Sequence, residues 1–205
     1  MIIAFDGNVY TGKTTIINSL RKNNGFIKID EHSFFVDGIK ENDNYIDIQQ
    51  RYLDVDKIRR MKINDNNVNL LDRSFVSVSA HVYAIYRLGI ADIRGAYINL
   101  IKNNFNQLVI PSQFIFVTCG YSKILERCQL VNNDKFTEEI YLMREYCHWI
   151  SDFNKRWIER VDGEIIETGS GSLDTICEMI RGNIYNKNIN FKKNFIINNI
   201  KDCYH

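Results

Sequence analysis

The chain has 205 residues, with 26 Lys and Arg against 25 Asp and Glu, and with one proline. This length fits one ordinary domain, and a hydrophobic share of 45% is too high for a disordered chain. A formal net charge of +1 gives no overall attraction to nucleic acid or to an anionic membrane. We therefore expect neither a nucleic-acid polymer nor a membrane as a partner.

Short apolar runs alternate with longer helical stretches along the chain. The runs are typical of parallel strands buried on both faces, and they predict strands at Ile2–Asp6, Phe26–Asp30, Asn69–Asp72, Phe114–Cys119 and Glu164–Glu167. The stretches between them predict helices at 13–23, 44–63, 75–104, 121–130, 137–160 and 172–184. This alternation indicates an α/β protein, in which helices flank a five-stranded parallel sheet in three layers.

The composition changes near residue 183. Residues 183–205 are rich in Asn, Lys and Ile, and with four lysines and one aspartate they carry a formal charge of +3. We therefore divide the chain into a body, 1–182, and a basic C-terminal extension, 183–205. The extension is either a short helix packed on the body or a disordered tail, and its apolar residues argue for docking.

The N-terminus and the cysteines indicate the compartment. No apolar run approaches the ~20 residues of a membrane span, and the first residues lack the features of a signal peptide. The cysteines at 119, 128, 147, 177 and 203 are odd in number and show no C-x-x-C spacing. A disulfide framework and a zinc knuckle are therefore not expected, and the chain is predicted to be cytoplasmic.

The strongest motif is GNVYTGKT, which matches the phosphate-binding loop G-x-x-x-x-G-K-[ST] in full and lies between a predicted strand and a predicted helix. Its glycines let backbone N–H groups approach phosphate oxygens, and the helix N-terminus adds positive potential. Lys13 would bridge the β- and γ-phosphates, and the Thr14 hydroxyl would ligate Mg²⁺. Tyr10 stands where a small residue is common, so its ring lies either over a ligand or in solvent. The predicted nucleotide contacts are Gly7, Asn8, Val9, Tyr10, Thr11, Gly12, Lys13, Thr14 and Thr15.

The loop by itself indicates a nucleoside triphosphate without naming the reaction. The [NT]-K-x-D and D-x-x-G sequences of GTPases do not occur at the right places. The third predicted strand ends instead in Leu70-Leu71-Asp72-Arg73-Ser74. Asp72 can hold Mg²⁺ there, and the planar fork of Arg73 can meet an acceptor phosphate or the attacking oxygen.

Three segments together resemble the thymidylate kinase and deoxynucleoside kinase group of P-loop kinases. They are FDGNVYTGKTT, IDEH at the end of the second strand, and LLDRSFVSVSAHVY after the third. The resemblance covers roughly residues 1–180 and implies an ATP- and Mg²⁺-dependent phosphotransferase with the P-loop NTPase fold, which in this group often forms homodimers. It implies that Lys13, Arg73 and Glu31 are catalytic. Glu31 matches a carboxylate that is the general base in deoxynucleoside kinases and a substrate contact in nucleotide kinases, although His32 replaces the usual proline and Asp30 is an alternative for the role.

The same resemblance implies further substrate and lid residues. Gln50, Arg51 and Arg59 match a substrate-side helix that meets the base or the acceptor phosphate, and a surface helix is the alternative. Tyr83 would stack on a base, and a core aromatic is the alternative. The segment after the fourth strand resembles a lid that normally carries two or more arginines, and here only Arg127, a predicted nucleotide contact, and Lys135 are near. Arg51 and Arg94 are alternative sources of the missing positive charge.

The leading hypothesis is a nucleoside monophosphate kinase most like thymidylate kinase, which converts a dNMP and ATP to a dNDP and ADP. One alternative is a deoxynucleoside kinase that phosphorylates a 5′-hydroxyl with Glu31 as general base. Another is a P-loop kinase for a different small hydroxylated metabolite or modified nucleoside. A non-enzymatic alternative is a nucleotide-binding regulatory protein.

Overall fold

The structure is a computed structural model, and it describes residues 1–32, 43–131, 139–169, 171–183 and 189–205. These residues form a sheet of five strands: β1 Ile2–Asp6, β2 Phe26–Ile29, β3 Val68–Asp72, β4 Gln113–Thr118 and β5 Glu164–Glu167. All pairings are parallel, in the order β2-β3-β1-β4-β5. The predicted α/β fold is confirmed, and no predicted strand end is wrong by more than one residue.

Nine α-helices are seen in the described ranges. They are α1 Lys13–Leu20, α2 Tyr45–Arg60, α3 Phe75–Arg87, α4 Arg94–Asn104, α5 Tyr121–Val131, α6 Glu139–Leu142, α7 Arg144–Val161, α8 Leu173–Asn183 and α9 Lys193–Cys203, with a 3-10 turn at Phe105–Gln107. None of these helices is both long and apolar enough to cross a membrane.

Two apolar layers hold the helices on the sheet. On one face, Ile16 and Leu20 of α1 and Ile180 of α8 share a buried cluster with the side chains of β1, β3 and β4. On the other face, a larger cluster includes residues of α2, α3, α4, α7 and α9. Burial of both faces explains why the strands read as nearly continuous apolar runs.

The predicted single helix over 75–104 is wrong, because the chain forms α3 and α4 instead. Gly89 adopts φ +70°, its N–H donates to the Tyr86 carbonyl at 2.9 Å, and the Ile90 N–H donates to the Ile85 carbonyl at 2.9 Å. These two bonds satisfy the last carbonyls of α3 in the manner of a glycine-terminated helix. The periodic apolar pattern continues through Gly89, so this pattern by itself does not predict the end of α3.

The predicted helix over 137–160 also differs, because α6 and α7 are separated at Met143. Met143 has extended backbone angles, φ −63° and ψ 133°. The Leu142 carbonyl accepts a bond from the Tyr121 hydroxyl at 2.7 Å, so a side chain from α5 takes the place of the next helical N–H. Residues 137 and 138 lie outside the described ranges.

The C-terminal residues form α9, which packs against α4 and α7. Ile196, Ile200 and Cys203 are fully buried there, in the larger apolar cluster. The docked helix, and not a disordered tail, therefore describes residues 193–203. The division of the chain into 1–182 and 183–205 stays a prediction.

Because all strands are parallel, the segments that follow them meet at one edge of the sheet. The GNVYTGKT loop follows β1, Glu31 follows β2, Asp72 ends β3, and Thr168 follows β5. The phosphate loop, Glu31 and Asp72, which the sequence singles out for chemistry, therefore lie at this edge.

Candidate active site

The loop between β1 and α1 has the backbone that a phosphate site requires. Gly7 has φ +139°, and a Cβ there would lie 2.2 Å from the carbonyl oxygen of Val117, so no side chain fits. Tyr10 and Gly12 also have positive φ angles, +56° and +96°. Such successive turns aim main-chain N–H groups into a common concavity that attracts anions. Tyr10 itself lines the cavity described below.

Lys13 lies inside this loop. Its side chain is 5% exposed, and its ammonium donates to the Asn8 carbonyl at 2.5 Å and to Thr11 Oγ1 at 3.3 Å. Burial, together with the nearby Arg73 guanidinium, lowers the pKa of Lys13 to about 7. The ammonium is thus held where the phosphates of a nucleotide would meet it.

Two side chains from neighbouring segments, Thr168 after β5 and Arg127 of α5, form hydrogen bonds to the main chain of the loop. The Thr168 hydroxyl donates to the Thr11 carbonyl at 2.6 Å. Arg127 Nη1 donates to the Tyr10 carbonyl at 3.1 Å and to Thr168 Oγ1 at 2.9 Å. Arg127 also lines the cavity, so it stands beside the predicted nucleotide position while it supports the loop.

Asn8 and Asp6 connect the loop to the neighbouring helices. The Asn8 amide donates to the Cys147 carbonyl and to Ser151 Oγ of α7, both at 3.0 Å. Asp6 accepts the Ser74 N–H at 2.9 Å and the Ser74 hydroxyl at 2.7 Å, which ties the start of α3 to the residue before Gly7. The position of the loop is therefore coupled to both helices.

Thr14 and Asp72 form a pair that could hold a divalent cation. The Thr14 hydroxyl donates to Asp72 Oδ2 at 2.7 Å, while Asp72 Oδ1 is buried without a hydrogen-bond partner among the described residues. Oxygen ligands of this kind fit Mg²⁺, which takes few protein ligands and completes its shell with phosphate oxygens and water. No group of three or more His, Cys, Asp or Glu side chains in the described ranges could hold a metal ion.

Glu31 and Arg73 form an ion pair beside the loop. Arg73 Nε donates to Glu31 Oε2 at 2.8 Å, and Arg73 Nη1 donates to the Gly7 carbonyl at 2.9 Å. Burial opposes the charged form, but Glu31 and Asp72 outweigh it and raise the pKa of Arg73. Arg73 has φ +61°, a left-handed conformation that costs a non-glycine residue roughly 1–3 kcal/mol. The surrounding contacts must hold this conformation in place.

A cavity of about 1510 Å³ runs from the loop to the space between α2 and α3. Its walls beyond the Glu31–Arg73 pair come from four helices: Tyr45, Ile48, Gln49 and Tyr52 of α2, Ser77, Val78, His81 and Ile85 of α3, Ile140 and Tyr141 of α6, and Tyr146 and Ile150 of α7. Pockets for one small molecule usually measure about 300–1000 Å³. The larger volume is sufficient for a phosphoryl donor and an acceptor together.

Gln49 and His81 are two buried polar side chains in the walls formed by α2 and α3. Gln49 is 1% exposed, and neither its amide nitrogen nor its amide oxygen has a hydrogen-bond partner among the described residues. His81 Nδ1 lies 2.9 Å from the Tyr146 hydroxyl, and burial lowers the pKa of His81 to about 4, so the ring is neutral at neutral pH. Both groups are therefore uncharged.

Four of the predicted substrate contacts do not line the cavity. Gln50 bonds Asp54 at 3.1 Å on the outer side of α2, and Arg51 pairs with Asp43 at 2.8 Å. Arg59 is fully buried behind the cavity. Tyr83 is fully buried in the core, which matches the alternative prediction of a core aromatic.

The predicted lid cations are only partly described. Lys135 lies outside the described residues. Arg94, an alternative cation, is bonded to Asp92 at 2.9 Å and does not line the cavity.

From the sequence we predicted Gln50, and not Gln49, as a substrate contact, although the spacing of residues along α2 favours Gln49. Tyr45, Ile48, Gln49 and Tyr52 follow the spacing of one helix face, and Gln50 belongs to another face. The periodicity of α2 therefore selects Gln49, whereas the resemblance alone selected its neighbour.

No family model matches the chain, and no curated protein sequence matches it. Solved structures do: a deoxyadenosine kinase from M. mycoides with bound dATP has a TM-score of 0.64 and 18% identity, over 90% of this chain and 99% of that chain. The same enzyme with bound dCTP has a TM-score of 0.64 and 18% identity, over 91% and 100%. A thymidylate kinase from Candida albicans has a TM-score of 0.61 and 16% identity, over 93% and 95%. The chain therefore has the P-loop kinase fold of the deoxynucleoside and thymidylate kinase structures, as its motifs predicted.

Proposed function

We propose that the protein is an ATP- and Mg²⁺-dependent kinase whose acceptor is the 5′-hydroxyl of a deoxynucleoside. The observation that carries this proposal is the Glu31–Arg73 pair, which lies between the phosphate loop and an acceptor wall whose described residues carry no positive charge. The sequence hypotheses put a monophosphate acceptor first, and the charges of the cavity favour the nucleoside instead.

The charged residues that line the cavity distinguish a neutral nucleoside acceptor from a negatively charged monophosphate. Among the described residues that line the cavity, the lysine and arginines are Lys13, Arg73 and Arg127, and all three contact or adjoin the phosphate loop. The two carboxylates are Glu31 and Asp43. A monophosphate would bring up to two negative charges next to Glu31, and like charges at short range repel in a partly buried site. A neutral nucleoside has no such cost.

The described side chains provide each part of a phosphoryl transfer. Lys13 and the loop N–H groups would bind the donor phosphates, and Thr14 and Asp72 would hold Mg²⁺, which neutralises charge on the phosphate oxygens. The Glu31 carboxylate would accept the proton of the 5′-hydroxyl while the 5′ oxygen forms its bond to the γ-phosphorus and the bond to the ADP oxygen breaks. Arg73 would orient Glu31 and stabilise negative charge at the transferring group.

The far end of the cavity suits a nucleobase. The Gln49 amide offers donor and acceptor groups side by side, which is the pattern that base edges match. Apolar side chains of Ile48, Val78 and Ile85 surround it, and His81 is neutral. A buried amide that lacks a partner in the protein is costly, and a bound base would satisfy it.

The test is a phosphoryl-transfer assay with ATP, Mg²⁺ and two panels of acceptors, deoxynucleosides and their 5′-monophosphates. We expect deoxynucleosides to react, with the product identified by mass. Glu31→Gln should lower kcat by about 100-fold or more, because it removes the proton acceptor. The matched control is Asp30→Asn, since Asp30 is an exposed carboxylate that pairs with Lys28. Reaction of monophosphates alone would contradict the proposal.

A nucleoside monophosphate kinase is the second candidate. Arg73 lines the cavity beside the loop, where its guanidinium could meet an acceptor phosphate. In that case monophosphates react, nucleosides do not, and Glu31→Gln has a smaller effect on kcat than Arg73→Gln. A protein that binds ATP and transfers phosphate to neither panel would match either a P-loop kinase for another small metabolite or the nucleotide-binding regulatory hypothesis.

A further inference from the structure

A buried polar cluster of His32, Asp56 and Arg59 lies behind the Glu31–Arg73 pair. Arg59 is fully buried, and its Nη2 donates to the main-chain carbonyls of Asp72 at 2.9 Å and Arg73 at 2.6 Å. Its Nη1 lies 3.0 Å from Asp56 Oδ1 and 2.8 Å from His32 Nε2. One guanidinium therefore joins the segment after β3 to the segment after β2.

The bond to His32 fixes the state of that ring. His32 Nε2 lies 2.8 Å from Arg59 Nη1 and 3.3 Å from Asp56 Oδ1. Because an arginine only donates hydrogen bonds, the bond to Arg59 requires Nε2 to accept, which places the ring proton on Nδ1 of a neutral ring. Burial and the charge of Arg59 lower the pKa of His32, in agreement with a neutral ring. Because His32 directly follows Glu31, this bond holds the main chain that carries the Glu31 carboxylate.

Asp56 anchors the cluster and neutralises its charge. It is fully buried, and its second oxygen accepts the Val109 N–H at 3.0 Å, from the segment before β4. Burial acts to raise the pKa of Asp56, whereas the Arg59 guanidinium and the Val109 N–H act to lower it, and the net direction is downward. The Arg59 charge is thus paired, and the cluster has a fixed point outside the two active-site segments.

The conformation of Arg73 depends on this arrangement. Its φ is +61°, its carbonyl accepts a bond from Arg59, and its own side chain reaches Glu31 and the Gly7 carbonyl. A lysine at position 59 keeps one positive charge for Asp56 but has no planar fork to reach the four partners together.

We propose that Arg59 is a positioning residue that holds Glu31 and Arg73 in register with the phosphate loop, from behind the site and without contacting a substrate. The catalytic part of this inference rests on the proposed function, whereas the joining of the two segments does not. Arg59 was expected from the sequence to contact the substrate, and its burial assigns it this indirect role instead.

The first test compares Arg59→Lys with Arg60→Lys. Arg60 is the exposed next residue on α2 and contacts the Asn106 carbonyl, so its variant is the matched control. We expect Arg59→Lys to lower kcat by about 100-fold, because small misplacements of catalytic groups are costly, with KM for ATP changed less than about twofold. Arg60→Lys should leave both unchanged. A lower melting temperature with an unchanged kcat would overturn the positioning role.

The second test needs no acceptor, so it distinguishes this inference from the proposed function. Hydrogen exchange of the amides at 31–32 and 72–74 should become about tenfold faster in Arg59→Lys, in both segments together, while binding of ATP is retained. Unchanged exchange, or faster exchange in one segment only, would overturn the joining of the segments. If the wild-type chain transfers phosphate to no acceptor, the proposed function fails. The exchange result alone then tests whether Arg59 joins the two segments.

A double variant keeps the proposal testable if Arg59→Lys does not fold. Asp56→Asn with Arg59→Gln removes both charges, so neither is left buried and unpaired. We expect the double variant to remain folded and to show the same loss of kcat and the same faster exchange as Arg59→Lys. Wild-type kcat and exchange in the folded double variant would overturn the proposal.

Discussion

Replacement of Gln49 by Leu separates the stability of the ligand-free protein from recognition of its acceptor. Gln49 is 1% exposed, and both polar atoms of its side chain lack partners among the described residues. A buried polar group without a hydrogen bond costs about 1–3 kcal/mol, so an apolar side chain of similar volume should stabilise the ligand-free protein by about that amount. For a chain of this length, about 1 kcal/mol corresponds to about 2–4 °C in melting temperature.

The same change should impair the reaction. If the amide recognises a base, Gln49→Leu removes two hydrogen bonds, and kcat/KM for the acceptor should fall about 100-fold or more, while KM for ATP stays nearly unchanged. The assays are urea unfolding without nucleotide and steady-state kinetics with varied acceptor. A variant that is more stable yet less active would show that this amide is kept for a ligand.

Gln50→Leu is the matched control, one residue along the same helix. The Gln50 amide is already bonded to Asp54 at 3.1 Å and to Asn104 at 3.2 Å, so its loss should lower stability slightly and leave kcat/KM unchanged. A Gln49→Leu protein less stable than the wild type would refute the reasoning, since the amide would then have a partner in the free protein. An unchanged kcat/KM would refute its role in recognition.

Three further outcomes follow from the site and the core. With a pKa of about 7, Lys13 is more often neutral at pH 8 than at pH 6, so binding of ATP as its Mg²⁺ complex should take up more protons at pH 8 than at pH 6. Calorimetry in buffers of different ionisation enthalpy measures this, Lys13→Arg should abolish the difference, and equal uptake at both pH values would contradict it. Thr168→Val removes the hydroxyl that holds the phosphate loop, and it should raise KM for ATP about tenfold in steady-state assays without changing KM for the acceptor. Ile200→Ala should cost about 2–5 kcal/mol in urea unfolding, because Ile200 is fully buried, whereas Lys201→Ala on the exposed face should cost less than about 0.5 kcal/mol.

The strands and the phosphate loop are the parts that local sequence predicts well. Parallel strands buried on both faces leave uninterrupted apolar runs, and the loop needs glycines and a lysine at fixed spacing, as Gly7 and Lys13 show. The helix ends are predicted less well. The break at Gly89 depends on carbonyls that the returning chain satisfies, and the break at Met143 depends on a hydroxyl from another helix.

The sequence by itself determined the α/β fold, the loop after β1 and the presence of Asp72 and Arg73 at the end of β3, because each follows from local periodicity or a contiguous motif. Only the tertiary structure decided the roles on α2. Gln49 and Arg59 occupy different faces of α2. Which of these faces borders the cavity is set only when α2 packs beside α3 and the ends of β2 and β3. Long-range packing buries Arg59 behind the Glu31–Arg73 pair and places Gln49 in the wall of the cavity, and no local pattern encodes which residues become neighbours of either.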